Sequence, residues 1–331
     1  MHQRQPDPWR ACAVVFALTV IISILAVVAA LAALDPYDTS RFGNSAFWRG
    51  RIDDDRTSRG RDPLFNAAII GNSRSALIEP AILDRGTGLH FVSLVIYGSQ
   101  PIEELAVLRY FIGHHPDAGA VVIGLDDAWC KRQLQSGLGR EFPHRLYEDG
   151  IFGYLAQLYT FRTVQRAWRA RRSVDARADG FQDYEPAFRA AGQDAIEVAR
   201  QKLPVIRPGG LWHEKLKPLY PALSQLTDVF AKMSASTAVV LAWVPVHISG
   251  LPLPNSTPAE LLAACQSAYA AVAAARPRTE IINWWLDRPE NRVDGNFYDQ
   301  GHYRRSIAVA LDDDITAKLV SARAASEPGG P

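Results

Sequence analysis

The residues with chemical potential in this chain fall into two short blocks far apart in the sequence. The first is Ala68-Ile69-Ile70-Gly71-Asn72-Ser73-Arg74-Ser75, an apolar run closed by a tight turn and followed by a helix signal. In a doubly wound α/β sheet, ligands bind outside the carboxyl ends of the strands, where a serine in such a turn would stand. A helix N-terminus beside it would offer unpaired N–H groups to a developing negative charge. The competing reading is that Ser73 or Ser75 simply caps that helix. The second block is Asn296-Phe297-Tyr298-Asp299-Gln300-Gly301-His302-Tyr303. An Asp three residues before a His in a turn can accept a hydrogen bond from Nδ1, fixing the tautomer that leaves Nε2 free to take a proton from a serine. Neither block is specific by itself. Together, with the nucleophile early and the Asp/His pair late, they compose a candidate triad of Ser73, His302 and Asp299.

Bringing these blocks together requires a sheet whose last loop returns over its first strand. Apolar runs at Ala67 to Ile70, Phe91 to Ile96, Ala120 to Leu125, Ala238 to Val244 and Glu280 to Asn283 have the length and composition of buried parallel strands. Helical patterns separate most of them. Pro101 to His114 interleaves Ile102, Leu105, Leu108 and Ile112 with Glu103, Glu104 and Arg109, while Thr257 and Pro258 read as the cap and first residue of an Ala-rich helix. A last helix is expected from Tyr303 to Arg323. The alternation predicts a flavodoxin-like three-layer α/β/α sandwich with a parallel five-stranded sheet. From about residue 127 to 215 there is no strong strand signal, and a mostly helical insertion is expected there.

The blocks resemble those of the SGNH, or GDSL-type, hydrolase superfamily from roughly Asn66 to Leu311, interrupted by the insertion. The resemblance implies Ser73 as nucleophile and Asp299 and His302 as its partners. It also implies an oxyanion hole made by the N–H groups of Ser73 and of Gly98, in Ile96-Tyr97-Gly98-Ser99. The third block departs from the family: Ile123-Gly124-Leu125-Asp126-Asp127 has a carboxylate where an oxyanion-binding Asn is usual. A carboxylate facing an oxyanion repels it unless protonated or turned away, so Asn72 is the candidate side-chain donor. Arg74, Asp126 and His247, the last at the end of the fourth strand, are candidate substrate contacts, with loop solvation the alternative for His247. Within the superfamily, the anchored arrangement resembles proteins of alginate O-acetylation and teichoic-acid D-alanylation. It implies a serine acylesterase or O-acyltransferase acting on acyl esters of a cell-envelope glycan, with a membrane-bound acyltransferase as candidate partner and no metal or organic cofactor. Two rivals remain: a non-catalytic envelope assembly or glycan-binding protein on the same fold, and a lipase or thioesterase.

The remainder of the 331 residues bounds these readings. A net charge of +1 and the lack of nucleic-acid motifs argue against a nucleic-acid partner. After a tail at residues 1–10, residues 11–34 form an uncharged run long enough for a transmembrane anchor. A cleaved signal peptide is the rival, although the run exceeds a usual signal core. Charges flanking the run do not fix its orientation. Long following domains translocate largely regardless of charge, so a single-pass inner-membrane protein with its domain facing the periplasm or outside is expected. Residues 35–62 read as a polar tether, 63–323 as the domain and 324–331 as a disordered Pro/Gly tail. Of three cysteines, Cys12 lies in the span. Cys130 and Cys265 read as two buried thiols, with a disulfide the alternative in an oxidising compartment. In the insertion, Trp129, Phe142, Tyr147, Phe152, Tyr154, Tyr159, Phe161 and Trp168 include candidates for stacking on a sugar, though most are expected to form the insertion's own core. Arg162, Arg166, Arg169, Arg171 and Arg172 are expected on a helix, facing solvent or an anionic partner.

Overall fold

The computed structural model describes residues 8–37, 39, 41, 57–138, 142–147, 150–161, 163–165, 179–192 and 220–324. Five strands, β1 (Ala67–Ile70), β2 (Phe91–Ser93), β3 (Ala120–Leu125), β4 (Ala238–Trp243) and β5 (Thr279–Asn283), form one all-parallel sheet in the order β2-β1-β3-β4-β5. Strand order reverses between β1 and β3, which makes the carboxyl end of β1 the switch point of the sheet.

Both faces of the sheet are covered, so the strands carry apolar side chains at successive positions rather than alternating with polar ones. One face contributes Ile70, Ile123, Leu125, Leu241 and Trp243 to a core shared with α4 (Pro101–His114), α7 (Pro221–Lys232) and α8 (Thr257–Ala275). The other contributes Ile69, Val122, Val240 and Ala242 to a core shared with α3 (Pro80–Thr87) and α9 (Arg305–Ala324). Helices α1 (Pro8–Leu34) and α2 (Thr57–Arg61) precede β1, and α5 (Ile151–Leu158) and α6 (Glu185–Ala190) lie between β3 and α7.

Local signals explain most boundaries. Helix α4 starts at Pro101 because a capping box closes on it: the Glu103 carboxylate accepts the Gln100 N–H at 2.8 Å. Helix α8 is capped by Ser256, one residue before the expected Thr257, with Ser256 Oγ accepting the Ala259 N–H. Helix α9 starts at Arg305 rather than Tyr303, because Tyr303 is held in an isolated antiparallel bridge to Phe297. Strand β2 is shorter than its apolar run. Its hydrogen bonding to β1 nevertheless continues past Ser93, from Leu94 N–H to Ile69 O at 2.8 Å and from Ile96 N–H to Gly71 O at 3.0 Å. The outer edge of β2 is met by a loop, Ser93 N–H donating to Asp179 O at 2.7 Å.

Two expectations are corrected. Cys130 and Cys265 are bonded to each other, with Cα atoms 5.8 Å apart, and Cys12 is the free cysteine. The bridge fastens the short turn after β3 to the middle of α8. Nor is the segment 35–62 simply a polar tether, because its described parts pack onto the domain. Asp35, Tyr37, Thr39 and Thr57 are buried, and the Asp35 carboxylate accepts hydrogen bonds from Thr39 Oγ1 at 2.9 Å and Tyr154 Oη at 2.8 Å. Residues 42–56 of the expected tether, most of residues 166–219, and residues 1–7 and 325–331 of the tails expected at 1–10 and 324–331 lie outside the described residues.

Trp9–Leu34 is 26 residues, long and apolar enough to cross a membrane whose hydrocarbon core takes about 20. Side chains are exposed along most of α1 until Leu31, which is buried against the domain.

Thiol titration of the denatured protein should find one reactive group before reduction and three after it. Replacing Cys130 and Cys265 together with serine should lower the unfolding free energy by about 2–4 kcal/mol, read in a denaturant titration. Three thiols before reduction, or an unchanged midpoint, would contradict the bridge.

Candidate active site

The turn after β1 is built around an inward serine and an outward one. Ser73 to Ser75 form a three-residue 3-10 turn, and its cap is Asn72, whose Oδ1 accepts the Arg74 N–H at 3.0 Å. Capping therefore falls to neither serine. Ser75 is buried between the ends of β1 and β3. A Cβ on Gly71 would lie 2.4 Å from Ser75 Oγ, and one on Gly124 would lie 1.8 Å from it. Both glycines are thus needed for the turn to nest against β3, and that nesting leaves Ser73 facing outward. Helix α3 begins only at Pro80. The expected helix N-terminus behind Ser73 is corrected accordingly: a three-residue turn has no appreciable macrodipole, and any stabilisation of an anion must come from individual N–H groups.

Ser73 Oγ lies 2.9 Å from His302 Nε2. On the other side of the ring, Nδ1 is 2.8 Å from Asp299 Oδ2 and 3.0 Å from Oδ1. Asp299 Oδ1 also accepts the N–H groups of Gly301 and His302, each at 2.8 Å. Burial pushes the Asp299 carboxyl up, but the hydrogen bond and charge of His302, with these two N–H groups, outweigh it and hold the carboxyl at about 2. The stability Asp299 contributes is therefore present above the ordinary carboxylate range and is lost only as pH falls from about 4 toward 2.

The triad loop is braced from several sides. Tyr298 N–H donates to His302 O at 2.8 Å, closing the loop on itself. His247 N–H donates to Gln300 O at 2.9 Å, while its ring nitrogens meet Ser249 Oγ at 2.8 Å and Asp294 at 3.2 Å. At 1% exposure, His247 is a strut beneath the triad loop, which corrects its expected role as a substrate contact.

The aromatic wall around His302 was not foreseen. Tyr184 meets the imidazole edge-on at 5.3 Å, and Phe188 lies 5.2 Å from it while stacking on Tyr298 at 4.8 Å. Tyr184 Oη donates to Tyr303 O at 2.5 Å, and the Glu185 carboxylate accepts the Arg305 N–H at 2.9 Å. The spacing of Phe181, Tyr184 and Phe188 at three and four residues is a helix-face signal within the stretch read only as an insertion.

Gly98, in the left-handed region at φ +75°, follows Ile96, whose bond to Gly71 sets this loop alongside the serine turn. Among the described residues, the N–H groups of Ser73 and Gly98 form no hydrogen bond. Asp126 does not carry the donor usual at that place. Its carboxylate accepts from Asn72 Nδ2 at 2.8 Å and from Ala128 N–H at 2.9 Å, with Arg74 Nη1 at 3.4 Å. Burial pushes the Asp126 carboxyl up, opposed by the Arg74 charge. Asn72 in turn is anchored through both atoms of its amide and scaffolds the turn, with one of its two Nδ2 N–H groups given to Asp126. Arg74 also binds Asp127 at 2.8 Å, lies 5.6 Å over the Trp285 ring and presses on Gly301, where a Cβ would meet its Nε at 2.6 Å. It joins the loops after β1 and β3 to the triad loop, and its side chain stays 29% exposed at the rim.

Of the insertion aromatics, Trp129, Phe142, Tyr147 and Tyr154 are buried, whereas Phe152, Tyr159 and Phe161 are exposed. Trp168, Arg162, Arg166, Arg169, Arg171 and Arg172 lie outside the described residues. Among the described residues, no group of His, Cys, Asp and Glu is arranged to hold a metal ion. No protein-family model matches the chain, and no curated protein is significantly similar to it.

Asp126→Asn should destabilise the protein by about 1–3 kcal/mol, because an amide sets its own donor against Asn72 Nδ2 or Arg74. Denaturant titration checks this. A variant as stable as the parent would mean that the carboxylate is not the acceptor these contacts require.

Proposed function

We propose that the chain is a membrane-anchored serine enzyme with an SGNH-hydrolase-like fold, an acylesterase or O-acyltransferase acting on acyl esters of a cell-envelope glycan. The observation that carries the reading is the continuous relay from Ser73 Oγ through His302 to Asp299. Its position at the switch point of a sheet with flavodoxin-like strand order agrees with it.

In the proposed reaction, Asp299 accepts the Nδ1–H of a neutral His302, leaving Nε2 to remove the Ser73 proton as Oγ attacks the ester carbonyl. The carbonyl oxygen becomes an oxyanion held by the N–H groups of Ser73 and Gly98. Collapse of the tetrahedral intermediate expels the alcohol, which takes the proton from His302 and leaves an acyl-Ser73 ester. Water or a sugar hydroxyl, deprotonated by His302, then attacks that ester and restores the serine. Hydrolysis and transfer differ only in which acceptor reaches the acyl-enzyme. In the transfer version, a membrane-bound acyltransferase is the proposed donor partner. Because Asp126 is committed to Asn72, Ala128 and Arg74, its departure from the family pattern lends no support to a purely binding role.

The Cys130–Cys265 bridge supports placing the domain outside the cytoplasm, where disulfides form and persist. Alkaline phosphatase fused to the C-terminus should therefore be active in cells. An inactive fusion paired with an active cytoplasmic reporter would reverse the topology and remove the envelope substrate.

A fluorophosphonate probe should label the protein at Ser73, and Ser73→Ala should abolish both labelling and turnover of a small acyl ester without a matching loss in Tm. His302→Ala should do the same. Asp299→Asn should lower kcat by about 10⁴-fold, since an amide facing Nδ1 can stabilise the wrong tautomer. The Ser73/His302 double variant should be no worse than either single variant, because the residues act as one unit. Near-parent turnover in folded Ser73→Ala would refute the serine mechanism.

A further inference from the structure

Helix α5 carries no charged residue along Ile151-Phe152-Gly153-Tyr154-Leu155-Ala156-Gln157-Leu158. It is apolar on two faces. Tyr154 and Leu158 are fully buried, in the same core as Leu31 and Tyr37. On the outward stripe, Phe152 is 84% exposed and Tyr159, just past the helix, 59%, with exposed Ala156 between them and Leu155 half-buried against the core. Ile151, Phe161 and Val164 extend the exposed apolar surface. Among the other described residues of the domain, large exposed apolar side chains are scattered along the sequence; here they cluster between residues 151 and 164. Such a cluster marks an interaction surface.

Its location identifies the partner. Helix α5 packs against the end of α1, where Tyr154 Oη donates to Asp35 at 2.8 Å, Tyr37 Oη meets Thr163 Oγ1 at 2.8 Å and Gln157 Nε2 donates to Tyr37 Oη at 3.2 Å. At 26 residues, α1 exceeds the roughly 20 needed for the hydrocarbon core, so its last turn emerges at headgroup level. Packed helices lie about 8–10 Å apart, which brings α5 to that same level. An uncharged helix with outward Phe and Tyr has the chemistry of the interface, where aromatic rings sit between headgroups and acyl chains.

We infer that the outer face of α5, formed by Phe152, Ala156 and Tyr159, is seated in the bilayer interface beside the exit of α1. The domain then meets the membrane at two points, which fixes its tilt relative to the bilayer plane. This rests on reading α1 as a membrane span, and the test separates the two.

Full-length protein with Cys12→Ala, reconstituted in nanodiscs of phosphatidylethanolamine and phosphatidylglycerol, is spin-labelled in turn at Phe152→Cys, Tyr159→Cys, Leu253→Cys and Ile22→Cys. Collision with oxygen, which concentrates in lipid, is compared with collision with a water-soluble nickel chelate. The ratio at positions 152 and 159 should exceed that at exposed Leu253 several-fold and approach that at Ile22 in α1. Ratios at 152 and 159 equal to that at 253, with Ile22 in lipid, would overturn the docking and leave the anchor standing. An aqueous Ile22 would overturn both. Labels at 152 and 159 shielded from both reagents, with dipolar broadening relieved by unlabelled protein, would overturn it in favour of a second copy.

Discussion

The contact on which the site depends joins Ser73 Oγ to His302 Nε2 across 229 residues of chain. A bond of that span has no local cause, so the whole sheet serves to bring its ends together. Ser73 is placed by the shortest device available, a turn nested against β3 through two glycines that make room for Ser75. His302 is placed by a longer series: the bridge between Phe297 and Tyr303, the strut from buried His247, and the aromatic wall of Tyr184 and Phe188. The imidazole is thereby held in one orientation, the condition that the proposed proton relay requires.

Buried charge beside the site is managed by partners rather than avoided. Asp126 would carry a large desolvation penalty alone, but Asn72, Ala128 and Arg74 meet it. Glu104 is fully buried, with Ser99 and Trp129 donating to it, and burial raises its carboxyl well above the usual range, reinforced by the nearby Asp126. Trp129 in turn offers its carbonyl to Tyr269, one turn along α8 from Cys265. The floor of the site is thus continuous with the bridge between Cys130 and Cys265, and loosening the bridge acts on the turn that carries Asp126 and Asp127.

The same economy appears at the end of α1. Asp35, which closes the apolar run of α1, is no free flanking charge; it is buried and accepts from Thr39 and Tyr154. Helix α1 and the domain are joined by packing and buried hydrogen bonds, so the orientation of the sheet relative to α1 is a property of the fold.

Much of the architecture was legible because it rests on short-range signals. The apolar runs, Pro101 at the start of its helix, the length of the N-terminal apolar run and the Asp299-x-x-His302 spacing each act within a few residues, and each recurs in the structure at or near its expected place. What the sequence left open depends on who is near whom in space. Asn72 rather than a serine caps the turn, Asp126 turns to Asn72 and Arg74, His247 is sealed beneath the triad loop, and Cys130 finds Cys265. The cap is a local choice between Asn72 and its neighbouring serines, whereas the other three are choices among partners equally acceptable to the local chain, and the sheet order β2-β1-β3-β4-β5, with its crossovers, brought one of them within hydrogen-bonding or covalent reach. The Tyr184 and Phe188 wall is the extreme case: its residues carry an ordinary helix-face spacing, and their position against His302 follows from the return of a distant segment past the edge of β2.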